Sequence, residues 1–159
     1  MKKVALFPGS FDPFTIGHEA IVRRAFSLFD EVIIAIGANA LKKSYYSLDV
    51  RKSMISLVFK DEPRVKVSHY EGLTVDYCKH VGAGYLIRGI RTSADFEFER
   101  AIAQTNRVLC PSVESVFLLT APEHNHINST IVRDIIKNGG NASAFVPKAL
   151  DLKKFKSEE

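Results

Sequence analysis

The chain of 159 residues predicts an α/β fold, one doubly wound domain on a five-stranded parallel sheet, from three observations. Short runs rich in β-branched residues alternate with segments whose apolar residues recur at helical spacing. Hydroxyl residues and a glycine punctuate the helical segments where caps are wanted. A hydrophobic content of 46% is enough for one core without disulfide or metal staples.

The strands are read at Val4 to Phe7, Val32 to Ile36, Val65 to Val67, Tyr85 to Ile87 and Val113 to Leu119. After the first, His18, Ile21, Val22, Ala25 and Phe29 share one helical face, while Arg23, Arg24 and Ser27 point away. Later stripes are Val50, Met54, Leu57 and Val58; Val75, Cys78 and Val81; Ala101, Ile102 and Thr105; and Ile131, Val132, Ile135 and Ile136. Ser47, Thr92 or Ser93, and Ser129 stand where N-caps are wanted, and Gly139 stands where a left-handed C-terminal residue is wanted. Strands alternating with helices imply a parallel sheet covered on both faces with right-handed crossovers, a Rossmann-like architecture. Ligands of such sheets bind beyond the carboxyl ends of the strands, which points to the loops after Phe7, Gly37, Tyr70, Ile87 and Leu119. The rhythm breaks after residue 140. A single domain over 1–159 is expected, closed by a short helix in 148–159 with a frayed end.

Twenty-two Lys and Arg against 18 Asp and Glu leave a formal charge of +4, which suits a protein that handles phosphorylated metabolites or nucleic acid. The positive residues form no stripe and no nucleic-acid-binding motif is present, which favours the metabolites. Cys78 and Cys110 lack CxxC spacing and a His cluster, so neither zinc nor a disulfide framework is indicated. A reduced, cytoplasmic protein is the simplest reading. The apolar run before Pro8 is too short for a signal-peptide core, and no apolar span of about 18 residues occurs to cross a membrane.

The first strand runs into PGSFDPFTIGH, where Gly9 permits unusual backbone angles, Pro13 stiffens the turn and Gly17 admits close backbone approach. His18 opens the following helix, so its imidazole shares the space of unpaired N–H groups and a positive dipole end, an anion site. A solitary His is equally a packing residue, but T-x-G-H after a strand and a tight turn favours the anion site. Arg88 and Arg91 project from the sheet edge as guanidinium forks suited to phosphate oxygens, with Gly89 between them leaving backbone accessible. Glu97 and Glu99 read by default as a solvated acidic face, and Lys42 with Lys43 as a solubilising loop pair. Ser129 and Thr130 begin the last helix, where hydroxyls and backbone N–H groups converge.

PGSFDPFTIGH resembles the signature of the nucleotidyltransferase superfamily with a T/HxGH motif, and its GSFDP opening resembles phosphopantetheine adenylyltransferases. YLIRGIRTSADFEFERAIAQTNR, Tyr85 to Arg107, and INSTIVRDII, Ile127 to Ile136, are similar to two further stretches of that family. The resemblance implies transfer of the adenylyl group of ATP to 4′-phosphopantetheine, giving dephospho-coenzyme A and pyrophosphate. It implies that His18, Lys42 and Ser10 contact the reacting oxygens. An ATP site is implied at Ser10, Phe11, His18, Gly89, Ile90, Arg91, Glu99, His124, Asn125, His126, Ile127, Asn128, Ser129 and Thr130. An acceptor site is implied at Ser10, Lys42, Thr74 and Arg88. Mg²⁺ is expected on the ATP phosphates, mostly water-ligated, because no carboxylate cage is visible in the loops. A homohexamer and feedback binding of coenzyme A are implied too. The sequence departs from the family at Ser10, where Thr is common, at Asn128, and at His124 to His126, beside the adenine. The alternative is another adenylyl- or cytidylyltransferase of the superfamily, such as one acting on nicotinamide mononucleotide; RGIR with DFEFE favours the pantetheine enzyme.

Overall fold

A computed structural model describes residues 1–38 and 43–158, so Lys42 lies outside the described residues. Five parallel strands, β1 (Val4–Gly9), β2 (Glu31–Gly37), β3 (Val65–Tyr70), β4 (Tyr85–Ile90) and β5 (Glu114–Leu119), form one sheet in the order β3-β2-β1-β4-β5. Their connections carry α1 (Ile16–Ala25), α2 (Leu48–Val58), α3 (Thr74–Val81) and α4 (Ser93–Leu109), and α5 (Ser129–Lys137) follows the sheet. The predicted α/β fold is thus present. The two central strands β1 and β2 read as continuous apolar runs because helices cover both of their faces.

On one face Phe7, Ile34, Ile36 and Ile87 pack against Ile21, Val22 and Ala25 of α1 and against Ile55 and Phe59 at α2. On the other, Leu6, Ile33, Ala35 and Leu86 meet Val75 and Cys78 of α3, with Cys110 and Val113 behind α4. A third cluster, centred on Tyr46, Met54, Val132 and Val146, binds α2, α5 and the C-terminal segment together.

Several local expectations are corrected. Asn128, not Ser129, caps α5, its side chain accepting from the Ile131 N–H. In α2 Met54 is buried in the third cluster with Val50 and Val58 packed against it, and Ile55 is buried against the sheet, but Leu57 is exposed. Ala101, Ile102 and Thr105 of α4 face solvent, and Glu99 is the buried residue of that helix. In the final segment the short helix is a one-turn 3₁₀ helix, Leu152–Lys154, and another such turn precedes it at Ser143–Phe145. Val146 and Leu150 are drawn into the third cluster, so the chain spreads across it. Its end is tied down, for the Glu158 N–H donates to the Tyr45 carbonyl at 2.8 Å. No described helix is long and apolar enough to cross a membrane.

β1 keeps step with β2 from Val4 to Gly9, but with β4 only at Ala5–Tyr85 and Leu6–Leu86. Beyond those pairs the two strands part. Pro8 sits at the parting, with its carbonyl turned toward β4, where the Arg88 Nη1 donates to it at 3.0 Å. In a strand the N–H of a residue points the same way as its C=O, so the donor that Pro8 lacks falls in the gap and no ladder bond is lost.

Gly9 closes β1 under the ring of Phe11. A Cβ there would lie 2.8 Å from the ring carbon Cζ, and Phe11, only 2% exposed, has nowhere to go. Gly9→Ala is expected to destabilise the protein by about 1–3 kcal/mol, as overpacking does. Urea unfolding checks this, and an unchanged midpoint would show that the ring can move aside.

Candidate active site

The parting of β1 and β4 opens a cavity of about 500 Å³ at the carboxyl ends of the strands, a volume in the range of small-molecule sites. From β1 the chain runs to β2 and β3 on one side, then crosses back to β4 and β5 on the other. The cavity therefore sits at the topological switch point, where open α/β sheets bind ligands.

Its floor is the 10–15 loop. Thr15 caps α1: the His18 N–H donates to Thr15 Oγ1 at 3.3 Å, and the Thr15 N–H donates back to His18 Nδ1 at 3.0 Å. His18 is thus the third helical residue, not the first, and its imidazole completes a reciprocal cap. Phe11 takes the left-handed region, φ 47°, which throws its ring back over Gly9. Five long-range bonds hold the loop. The Asp12 carboxylate accepts from the Tyr45 and Tyr46 N–H groups at 2.8 and 2.9 Å. Arg51 donates to the Ser10 carbonyl at 2.8 Å, Arg133 to the Asp12 carbonyl at 2.6 Å and Ser129 Oγ to the Pro13 carbonyl at 2.8 Å. These bonds bring the N-terminus of α5 and the start of α2 to the loop.

The His18 ring lies among three phenylalanines, with centroids 5.0 Å from Phe11, 5.3 Å from Phe14 and 6.3 Å from Phe7. Desolvation by these rings, and then the positive charges of Arg91 and Arg88, lower its pKa from 6.5 to about 4. Near neutrality the ring is uncharged. Because Nδ1 accepts from the Thr15 N–H, the hydrogen-bond pattern assigns the proton to Nε2. That N–H has no partner among the described residues, and His18 lines the cavity. A neutral donor is thereby aimed at whatever fills it.

Arg88 and Arg91 line the same cavity. Arg88 gives Nε and Nη2 to the two oxygens of Glu99, at 2.8 and 2.6 Å. Glu99 is not a solvated acid but 8% exposed. Arg91 reaches Asp95 with Nε at 3.1 Å and with its backbone N–H at 3.2 Å.

Of the residues singled out from sequence, Ser10, Phe11, His18, Arg88, Gly89, Arg91, Glu99, His124, Ile127, Asn128 and Ser129 line this cavity. Ile90, Asn125, His126 and Thr130 do not. Ile90 is buried, the His126 ring approaches Phe145 edge-on at 6.3 Å, and Thr130 accepts from Arg133 at 3.2 Å. Thr74 lines a second cavity of about 150 Å³ on the far side of Arg88, its Oγ1 held 2.8 Å from the Tyr70 hydroxyl. Sequence reasoning missed Asp12, Thr15, Arg51, Asp95 and Arg133. Thr15 alone left a trace, three residues before His18 at capping-box spacing. Among the described residues no group of three or more His, Cys, Asp or Glu side chains gathers as a metal site.

Residues 6–135 match the family model described as cytidylyltransferase-like, so the site belongs to a nucleotidyltransferase of that class. A protein from Flavobacterium psychrophilum is 57% identical over 149 residues, covering 94% of this chain and 98% of its own. One from Bacteroides fragilis is 45% identical over 148 residues, covering 93% and 98%. Both are named phosphopantetheine adenylyltransferase. The chain belongs to that family. Among solved structures, a bifunctional NMN adenylyltransferase/ADP ribose pyrophosphatase from Francisella tularensis superposes with a TM-score of 0.73 at 17% identity. It is matched over 98% of this chain and 47% of that one, a likeness of fold alone.

His18 should titrate near pH 4 when its ring carbons are followed by NMR. Its folded pKa lies below the unfolded value of 6.5, so the stability it contributes is full above pH 6.5 and lost as pH falls toward 4. A midpoint near 6.5 would mean that water reaches the ring.

Proposed function

We propose that this protein transfers the adenylyl group of ATP to 4′-phosphopantetheine, giving dephospho-coenzyme A and pyrophosphate in coenzyme A biosynthesis. The observation that carries the reading is the convergence of His18, Arg88, Arg91 and the α5 N-terminus on one cavity that meets a second, narrower one at Arg88. A phosphate with a long arm matches that shape. The arm lies along Thr74, Ile102 and Asn106 in the second cavity, and its phosphate lies beside Arg88. The triphosphate lies along Arg91, Gly89 and the N-terminal turn of α5, where Ser129 and unpaired N–H groups favour anions.

The chemistry needs little covalent help. An oxygen of the acceptor phosphate attacks the α-phosphorus in line, the bond to the bridging oxygen breaks, and pyrophosphate leaves with that electron pair. The acceptor is already ionised, so no general base takes part. His18, as a neutral imidazole, donates from Nε2 to an α-phosphate oxygen that gains charge. Lys42 and the Ser10 hydroxyl share this role by resemblance. Phe11, Ile90, His124 to Ile127, Asn128 and Thr130 belong to the proposed nucleotide side on the same ground.

Mg²⁺ enters this proposal on the ATP phosphates. The described residues do not fit a protein-held ion, for the carboxylates that line the cavity, Glu99 and Asp95, are taken by Arg88 and Arg91. Assembly as a homohexamer, feedback by coenzyme A and a cytoplasmic location complete the proposal. The apolar surface of α4, with Phe98 69% and Val108 82% exposed, supports self-association.

Pyrophosphate release from ATP should require phosphopantetheine. Release with nicotinamide mononucleotide instead would overturn the substrate. His18→Ala is expected to lower kcat by about 10²–10³ with little change in the KM for ATP; weaker ATP binding at normal kcat would make His18 a ground-state ligand. Arg91→Ala should chiefly weaken ATP and Arg88→Ala chiefly weaken phosphopantetheine, each by roughly 30- to 1,000-fold in isothermal titration. Equal losses for both ligands would reject the division.

A further inference from the structure

Among the described residues, Pro8, Arg88 and Glu99 line both cavities, and they are joined through Arg88. Arg88 Nε and Nη2 grip the Glu99 carboxylate at 2.8 and 2.6 Å, and Nη1 donates to the Pro8 carbonyl at 3.0 Å. This triad is the partition between the cavities. We infer that Glu99 is a positioning residue for the acceptor: it fixes the Arg88 guanidinium at the junction and leaves a set pair of donors for the acceptor phosphate.

A guanidinium has five N–H donors, and three are engaged here, so one remains on each of Nη1 and Nη2. The Nε–Nη2 fork that arginine ordinarily offers a phosphate is closed by Glu99. A free arginine would meet the phosphate with that fork, in several rotamers, and would lose side-chain entropy on doing so. The locked one meets it from a single position. Glu99 also cancels the charge of Arg88, so affinity for the acceptor anion is held down while its placement relative to the α-phosphorus is held firm. Placement acts on the transition state and affinity on the ground state. α4 supports this assignment, because Glu99 is the one side chain of that helix that is buried, and it is spent on Arg88.

The inference rests on the proposed acceptor, and the test separates the two. Glu99→Gln keeps size and one acceptor oxygen but sets an NH₂ against an arginine N–H. Its kcat should fall about 10- to 100-fold. The KM for phosphopantetheine should not rise. In an Arg88→Ala background the same change should add nothing, since a positioning residue has no effect without its client. Glu99→Leu, an apolar substitute that needs no partner, repeats the test should the glutamine variant fold poorly. One readout needs no turnover: the Arg88 Nε–H resonance, assigned by its loss in Arg88→Lys, should be protected from exchange in wild type and unprotected in Glu99→Gln. Persistence of that protection, a raised KM for phosphopantetheine, or additive effects with Arg88→Ala would each overturn the inference. Wild-type turnover with a different acceptor, alongside a protected Arg88, would instead sink the substrate and leave the positioning role standing.

Discussion

The site depends on where one pair of parallel strands stops pairing. β1 and β4 share two residue pairs and then separate, while β1 stays in register with β2 over its whole length. A central strand that loses one neighbour would leave carbonyls and N–H groups bare inside the protein. Pro8 removes one such donor, and the Arg88 guanidinium satisfies the carbonyl across the gap. The opening is therefore stable without a ladder, and it falls at the switch point that the strand order dictates. His18, Arg88, Arg91 and the N-terminus of α5 are arranged around its rim.

Charge in this rim is managed before any ligand enters. Each arginine of the RGIR run has a carboxylate partner from α4, Glu99 for Arg88 and Asp95 for Arg91. His18 is kept neutral by three aromatic rings and by the two arginines themselves. The result is a cavity rich in donors whose net charge is modest. That arrangement suits a reaction in which two anions must meet, because unscreened positive charge would hold ground states as firmly as the transition state.

The exposed apolar residues of α4 follow from the same economy of faces. This helix covers the β4 and β5 end of the sheet, and its inward side is occupied by Glu99 and by contacts to Phe117 from Phe96. Its remaining apolar residues have no described partner to bury them, which is why the helical stripe at Ala101, Ile102 and Thr105 exists in the sequence yet does not face the core. The third cluster shows the opposite case: the C-terminal segment gives up helical form to lay Val146 and Leu150 on Tyr46 and Val132.

By itself the sequence determined the class of fold, the strand cores, the sheet edge that carries chemistry, and the presence of His18, Arg88 and Arg91 beside it. Those features are local: β-branched runs, helical stripes and the T-x-G-H turn are legible within about a dozen residues. Only the tertiary structure decided which residues hold the loop in place. Arg133 reaches the Asp12 carbonyl across 121 positions, and Arg88 reaches Pro8 across 80. It also decided that Glu99 is buried, that Asn128 caps α5 and that His126 turns to Phe145 instead of the cavity. The Asn128 cap apart, such partnerships have no period and no fixed spacing, since they join elements brought side by side only when the whole fold assembles. Local chemistry names the residues able to act; long-range hydrogen bonds and burial select the ones that are aimed.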